Sequence, residues 1–122
     1  MRAHTKGDRG AVTAETALAL PAVGLVTAVL IGVGHVAVAQ IRCVDAARAA
    51  ARLAARGEPV GRVVARAAGV APTGAAIAVG TAGGEVVVTV RSQVALPFGL
   101  DVPIGSRAVA DLESTLSDRG PT

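Results

Sequence analysis

The sequence predicts an α+β protein: a long N-terminal helix of transmembrane character, followed by a small C-terminal antiparallel sheet. Three observations lead there. A stretch of 24 residues, from Thr16 to Ala39, carries no formal charge if His35 is neutral. An Ala/Arg-rich run with strong helix formers follows it directly. Beyond a Gly/Pro break the pattern switches to alternating valines, the mark of a half-buried strand.

The composition narrows the function classes first. The chain has 122 residues, a formal net charge of +3, 52% hydrophobic and 17% charged residues. A disordered polar chain is excluded on those figures. Phe98 is the only aromatic residue, with no Trp or Tyr. Stacking platforms for single-stranded nucleic acid are therefore missing, and a nucleic-acid partner is not expected. The apolar residues are mostly Ala and Val, which bury little area each. A single cysteine, Cys43, excludes a disulfide framework within the chain. With His4 and His35 far apart in sequence, a zinc site is not expected either.

Residues 1–10 (MRAHTKGDRG) form a polar, mostly basic leader, expected on the cytoplasmic side. Residues 11–40 are the expected transmembrane helix, with Glu15 as the one charge. At ~1.5 Å per residue the uncharged stretch is about 36 Å long, enough to cross a hydrocarbon core of ~30 Å. Pro21 lies within it, a residue that membrane helices tolerate when neighbours satisfy the freed carbonyl. Gly24, Ala28 and Gly32 recur at every fourth position. Such a stripe permits close helix packing, and an Ala/Gly-rich composition also produces it by chance; both readings stay open. Both flanks of the span are basic, so the positive-inside rule gives no clean orientation. The basic stub ahead of the first apolar run favours N-in and C-out, a single pass through the plasma membrane.

Glu15 is the informative residue. A charge at the centre of a membrane helix costs ~2.5–3.5 kcal/mol on insertion scales, and less at the interface. Its distance from Gly10 matters. If the chain were cut after Gly10, Ala11 would carry a new amine and Glu15 would be the fifth residue. Residues four apart share one helix face. An ammonium and a carboxylate placed so would pair, within a chain or between neighbours, and offset the cost of holding each near lipid.

The leader ending in Gly10, the following Ala11, Glu15 and the run TALALPAVGLVTAVLIGVG resemble the type IV prepilin-like proteins, and within them the TadE-like family of Tad-type pilus components. The resemblance covers about residues 7–56. Pro21 partway along the apolar stretch also fits it. Thr16 departs from it, since many members carry an aromatic residue directly after the glutamate. The resemblance implies cleavage after Gly10 by a prepilin peptidase. It also implies a role as a minor pilin-like subunit or assembly factor, a cell-surface pilus, and other pilin-like subunits, the pilus assembly machinery and membrane lipid as partners.

Two other outcomes compete. Ala37-Val38-Ala39 ahead of Gln40 is an A-x-A pattern, which would release a small secreted binding protein starting at Gln40. The apolar stretch is longer than the usual ~7–15-residue core of such a signal. An uncleaved single-pass membrane regulator is the other. A lipoprotein signal at Cys43 fails, because Gln40-Ile41-Arg42 lacks the small residue expected before the cysteine.

Residues 41–69 are expected to continue as helix. The first helix should run from about Ala11 to Arg56, stopped by Gly57-Glu58-Pro59. Asp45 and Arg48 are spaced for an ion pair, and Arg48, Arg52 and Arg56 make a basic stripe, read mainly as a solvated face. A second short helix is expected over 60–68, ended by Gly69. Residues 70–117 should form the small exported β-rich domain. Its strands are expected at 75–80, 85–96 and 106–114, with a hairpin connection at Thr81-Ala82-Gly83-Gly84 and a loop from Pro97 to Pro103. The sheet should pack on the helix region 45–68. Residues 118–122 read as a disordered tail. Cys43 reads as a small buried or lipid-facing residue, ahead of a free or intermolecularly bridged thiol.

Gly32-Val33-Gly34-His35-Val36-Ala37 matches a G-x-G-x-x-A string, but no βαβ unit follows and the preceding run is too long for a strand. No paired carboxylates and no Ser/His/Asp arrangement stand out. The expectation is a non-enzyme without cofactor or metal.

Overall fold

The computed structural model describes residues 5–112, and side chains from residue 7. The elements in order are helix α1 (Thr5–Ala55), helix α2 (Val60–Val70), strands β1 (Ala76–Ala82) and β2 (Glu85–Leu96), a tight turn at Pro97–Gly99, and strand β3 (Leu100–Asp111). The architecture is α+β, as the sequence predicts. The chain divides into two units, Met1–Gly34 and His35–Thr122.

The first unit is helix throughout its described part. Its large side chains point outward: Leu18 is 78% and Leu20 67% exposed, and Val23, Leu25, Val26, Val29, Leu30 and Ile31 are exposed as well. α1 is long and apolar enough to cross a membrane. Pro21 sits inside it; lacking an N–H, it leaves the Ala17 carbonyl without its usual partner. Thr13, Thr16 and Thr27 turn their hydroxyls back to donate to the carbonyls of Arg9, Val12 and Val23 at 2.8–2.9 Å. Such back-bonding satisfies the hydroxyl without any partner outside the helix.

The second unit has its own core. Cys43, Ala46, Ala47, Ala50, Ala51 and Ala54 come from α1, Val63 and Ala67 from α2, and Val86, Val88 and Val90 from β2. The helix contributions repeat at three- and four-residue steps, so they make one stripe facing the sheet. Alanine keeps that stripe smooth, and the β2 valines supply the volume. On the outer side of the same helix Asp45, Arg48, Arg52 and Arg56 are exposed, the solvated face expected. Asp45 and Arg48 do not form the expected pair; the ion pair among the described residues joins Arg62 to Glu58 at 2.9 Å. Both partners are largely outside the core, so it adds little to stability.

α1 ends in a Schellman arrangement. Gly57, at φ 78, donates to the Ala54 carbonyl at 3.0 Å, and Glu58 donates to Leu53 at 3.3 Å. Glycine takes the left-handed conformation this cap needs without a Cβ penalty.

The sheet order is β1-β2-β3, antiparallel throughout. Gly83 and Gly84 alone form the first turn, with Ala82 paired to Glu85 and both glycines at positive φ. That is the requirement of a two-residue hairpin.

Several boundaries differ from the sequence expectation. α1 is already helical at Thr5, the first described residue, ahead of the expected start at Ala11. α2 runs through Gly69 to Val70, a single interior glycine costing only about 1 kcal/mol. β1 extends to Ala82. The largest difference is β3, which begins at Leu100 and not at 106. The expected loop over 97–103 shrinks to Pro97–Gly99, and Pro103 pairs opposite Gln93 inside the strand. An edge strand tolerates proline because one side of its ladder is free. The expected end of this strand at 114 and the tail 118–122 lie outside the described residues, as do residues 1–4 of the leader.

Candidate functional site: an exposed apolar helix and a hydrogen-bonded strand edge

Gly10, Ala11 and Glu15 are all exposed and all on α1. The helix passes through the Gly10–Ala11 bond without interruption. Ala11 and Glu15 are one helical turn apart and share a face, as their spacing requires. Among the described residues no cation pairs with Glu15. Its carboxylate is thus available to a partner, and the helix around it offers apolar neighbours in Val12, Leu18 and Leu20. A helix with apolar side chains on all sides and one carboxylate near its start is suited to packing in lipid or among similar helices.

The small-residue series is not uniform. Gly24 is exposed, Ala28 half-buried and Gly32 buried. A Cβ added at Gly24 would meet nothing within 4 Å, so Gly24 is not held to glycine by anything inside the chain. Its surface is open to another helix.

In the second unit one contact stands apart from the apolar core. The Gln40 amide nitrogen donates to the Gly105 carbonyl at 2.8 Å, and the Gly105 N–H donates to the Gln40 side-chain oxygen at 3.2 Å. Gly105 lies on β3, an edge strand, so its ladder groups on one side have no strand to pair with. The glutamine fills that place with the same donor–acceptor pair a neighbouring strand would offer. Gly105 must be glycine here: a Cβ would lie 2.7 Å from the Val90 carbonyl oxygen. Sequence reasoning treated Gln40 only as a possible mature N-terminus and did not mark Gly105, since the two are 65 residues apart.

Cys43 is buried, one turn after Gln40. Burial pushes its thiol above the ordinary value, because the thiolate would lose its hydration there. That is the inert kind of cysteine.

The TadE-like protein family matches residues 10–52. A curated protein of Mycobacterium tuberculosis (strain ATCC 25618 / H37Rv), "Apoptosis inhibitor Rv3655c", is 42% identical over 102 residues, covering 83% of this chain and 80% of that protein. The chain belongs to the TadE-like family. The family match begins at Gly10, takes in Glu15 and the whole apolar run, and ends within the core-facing alanines of α1. No solved structure matches the chain. As a TadE-like protein it is related to Tad pilus components, and its one N-terminal apolar helix fits a membrane-anchored single-pass chain.

Proposed function

We propose that this TadE-like chain is a minor pilin-like subunit or assembly factor of a Tad-type pilus. It enters the plasma membrane N-in and C-out and is cut after Gly10 by a prepilin peptidase. The single observation that carries this is the family match over residues 10–52, with Glu15 four residues after Ala11 on an exposed helix. Its mechanism is assembly and not catalysis, with no cofactor. Once Ala11 bears a free amine, the Glu15 carboxylate of the same or a neighbouring chain pairs with it. The pair sets the axial register of neighbouring helices, because an unpaired carboxylate is costly at the edge of lipid. Packing at the exposed Gly24, with half-buried Ala28 beside it, supports the same helix–helix contact, whereas Gly32 is already buried and offers a neighbour no surface.

Cleavage needs an extended peptide, so the helix must open locally around residues 9–11. Gly10 makes that opening easier, as glycine weakens a helix interior by about 1 kcal/mol relative to alanine. The test is the mature N-terminus in cells with and without the peptidase: Ala11 with it, and an uncut leader without it.

A second reading has one observation in its favour. The mycobacterial relative carries the name of an apoptosis inhibitor, which points to action away from a filament. Under that reading the chain is released at Gln40 as a small secreted binding protein. The released part would keep its whole core, since every core residue lies at or beyond Cys43. A mature chain starting at Gln40 would establish it.

A further inference from the structure

β2 and β3 outrun β1. Pairing with β1 stops at Ala76 opposite Arg91. From Ser92 opposite Ile104 to Leu96 opposite Leu100 the two longer strands continue alone as a ribbon. The Gln40–Gly105 contact holds its base. The core residues of α1, Cys43 to Ala54, all lie on the C-terminal side of Gln40, and those of β2, Val86 to Val90, lie on the far side of Arg91 from the ribbon tip. The ribbon therefore continues past Gln40 at the end of the unit where the chain emerges from its apolar stretch.

Its composition is unusual for a projection into water. From Ser92 to Leu100 there is no charge. Val94, Leu96 and Val102 are half-buried. At the tip Phe98 is 84% and Leu100 62% exposed. Phe98 is the sole aromatic residue of the chain, and it holds φ 69 and ψ 21. Turns give that conformation to glycine or asparagine, which bear it at lower cost. A bulky apolar ring there costs backbone strain and leaves its surface in water. An isolated two-stranded ribbon is also only marginally stable in water.

We propose that the Pro97–Leu100 tip inserts into the lipid interface of the bilayer that α1 spans, as a second, shallow foot of the exported unit. The occupant is a lipid surface, for two reasons on the molecule itself. First, Gln40, which holds the ribbon base, directly follows the last residue of the uncharged span, so the ribbon is tied to the chain where it leaves its apolar stretch. Anchoring then keeps the tip near lipid at high effective concentration. Second, a tip of one Phe and one Leu is far smaller than the ~800 Å² per partner of a stable protein interface, whereas a shallow lipid contact adds to an existing anchor. Asp101, exposed just behind the tip, limits the depth, because a carboxylate resists transfer into hydrocarbon. The proposal concerns the chain while it is held in the bilayer. It rests on membrane anchoring and is independent of cleavage after Gly10.

The natural chain lacks Trp and Tyr, so Phe98→Trp makes a unique fluorophore. The full chain is reconstituted in phosphatidylcholine vesicles, with or without bromine on the upper acyl carbons. Insertion by ~5–10 Å, the depth of interfacial segments, should shift emission to the blue and let the brominated lipid remove roughly half of the intensity. Ala82→Trp, at the opposite end of the β1–β2 hairpin, should emit as in water and stay unquenched. Leu100→Trp repeats the measurement and decides it if the Phe98 variant does not fold. Water-like, unquenched emission at the tip overturns the proposal. So does blue-shifted emission that ignores bromine and reverts as the chain is diluted in lipid, which would assign the tip to a second copy.

Discussion

Gln40 and Gly105 exchange two hydrogen bonds across the edge of the sheet. Gly105→Ala puts a methyl 2.7 Å from a backbone oxygen that cannot swing away. It should destabilise the folded unit by about 2–3 kcal/mol, read from denaturant titration of the full chain in detergent. Gln40→Ala only returns half-buried edge groups to water, and should cost about 1 kcal/mol in the same titration. Phe98→Gly should leave stability unchanged or raise it by up to about 1 kcal/mol, since glycine relieves the positive φ. A clear loss of stability there would show that the ring is held by packing. Cys43 adds a pH dependence. Its folded thiol is harder to ionise than in the unfolded chain, so its stabilising contribution is intact at neutral pH. It declines as pH rises past the ordinary thiol value of 9.0 toward the higher folded value. Alkylation of the native chain should be slow at pH 8 and become fast in denaturant.

At the scale of elements, the valines of β2 were legible because they alternate over several residues, while the helix stripe Cys43–Ala54 showed only through its complement, the basic stripe Arg48, Arg52 and Arg56. The alternating burial of Val86, Val88 and Val90 is what the sequence pattern predicts. β3 was misread for a physical reason. Pro97, Gly99, Pro103 and Gly105 look like loop punctuation, but three of them have strand-compatible reasons to be there or to border it. Pro103 sits on an edge strand, Gly105 accommodates the Val90 carbonyl, and Gly99 closes the turn at φ 72. Gly69 lies in the last turn of α2, which ends one residue later at Val70. The alanine stripe sets the helix–sheet distance, so Ala50→Leu should lever the sheet away and cost about 1–3 kcal/mol. Loss of β signal by circular dichroism at a lower denaturant concentration than wild type is the readout; no change would mean the sheet does not rest on that face.

At the scale of the whole molecule, the sequence made the assembly motif legible and left the sheet's anchoring dark. Gly10, Ala11 and Glu15 lie close together in a short string with a basic leader before it and an apolar run after it. The Gln40–Gly105 contact joins residues 65 apart, for which no local pattern exists. Phe98 did leave a signal, a lone aromatic in a Pro/Gly segment, which composition alone could have flagged. The proposed assembly role rests, at this scale, on Glu15. Glu15→Ala should lower incorporation into pili or pilin complexes by roughly tenfold or more, the loss of one near-lipid ion pair. Membrane insertion should persist, as membrane fractionation would show. Equal incorporation of the variant would remove the carboxylate from the assembly step.

The most direct measurement is mass spectrometry of the N-terminus of the chain purified from cells that contain the prepilin peptidase. The account predicts a mature chain that begins at Ala11, and retention of the leader when the peptidase is deleted. A chain that begins at Met1 in the presence of the peptidase, or at Gln40, would contradict it.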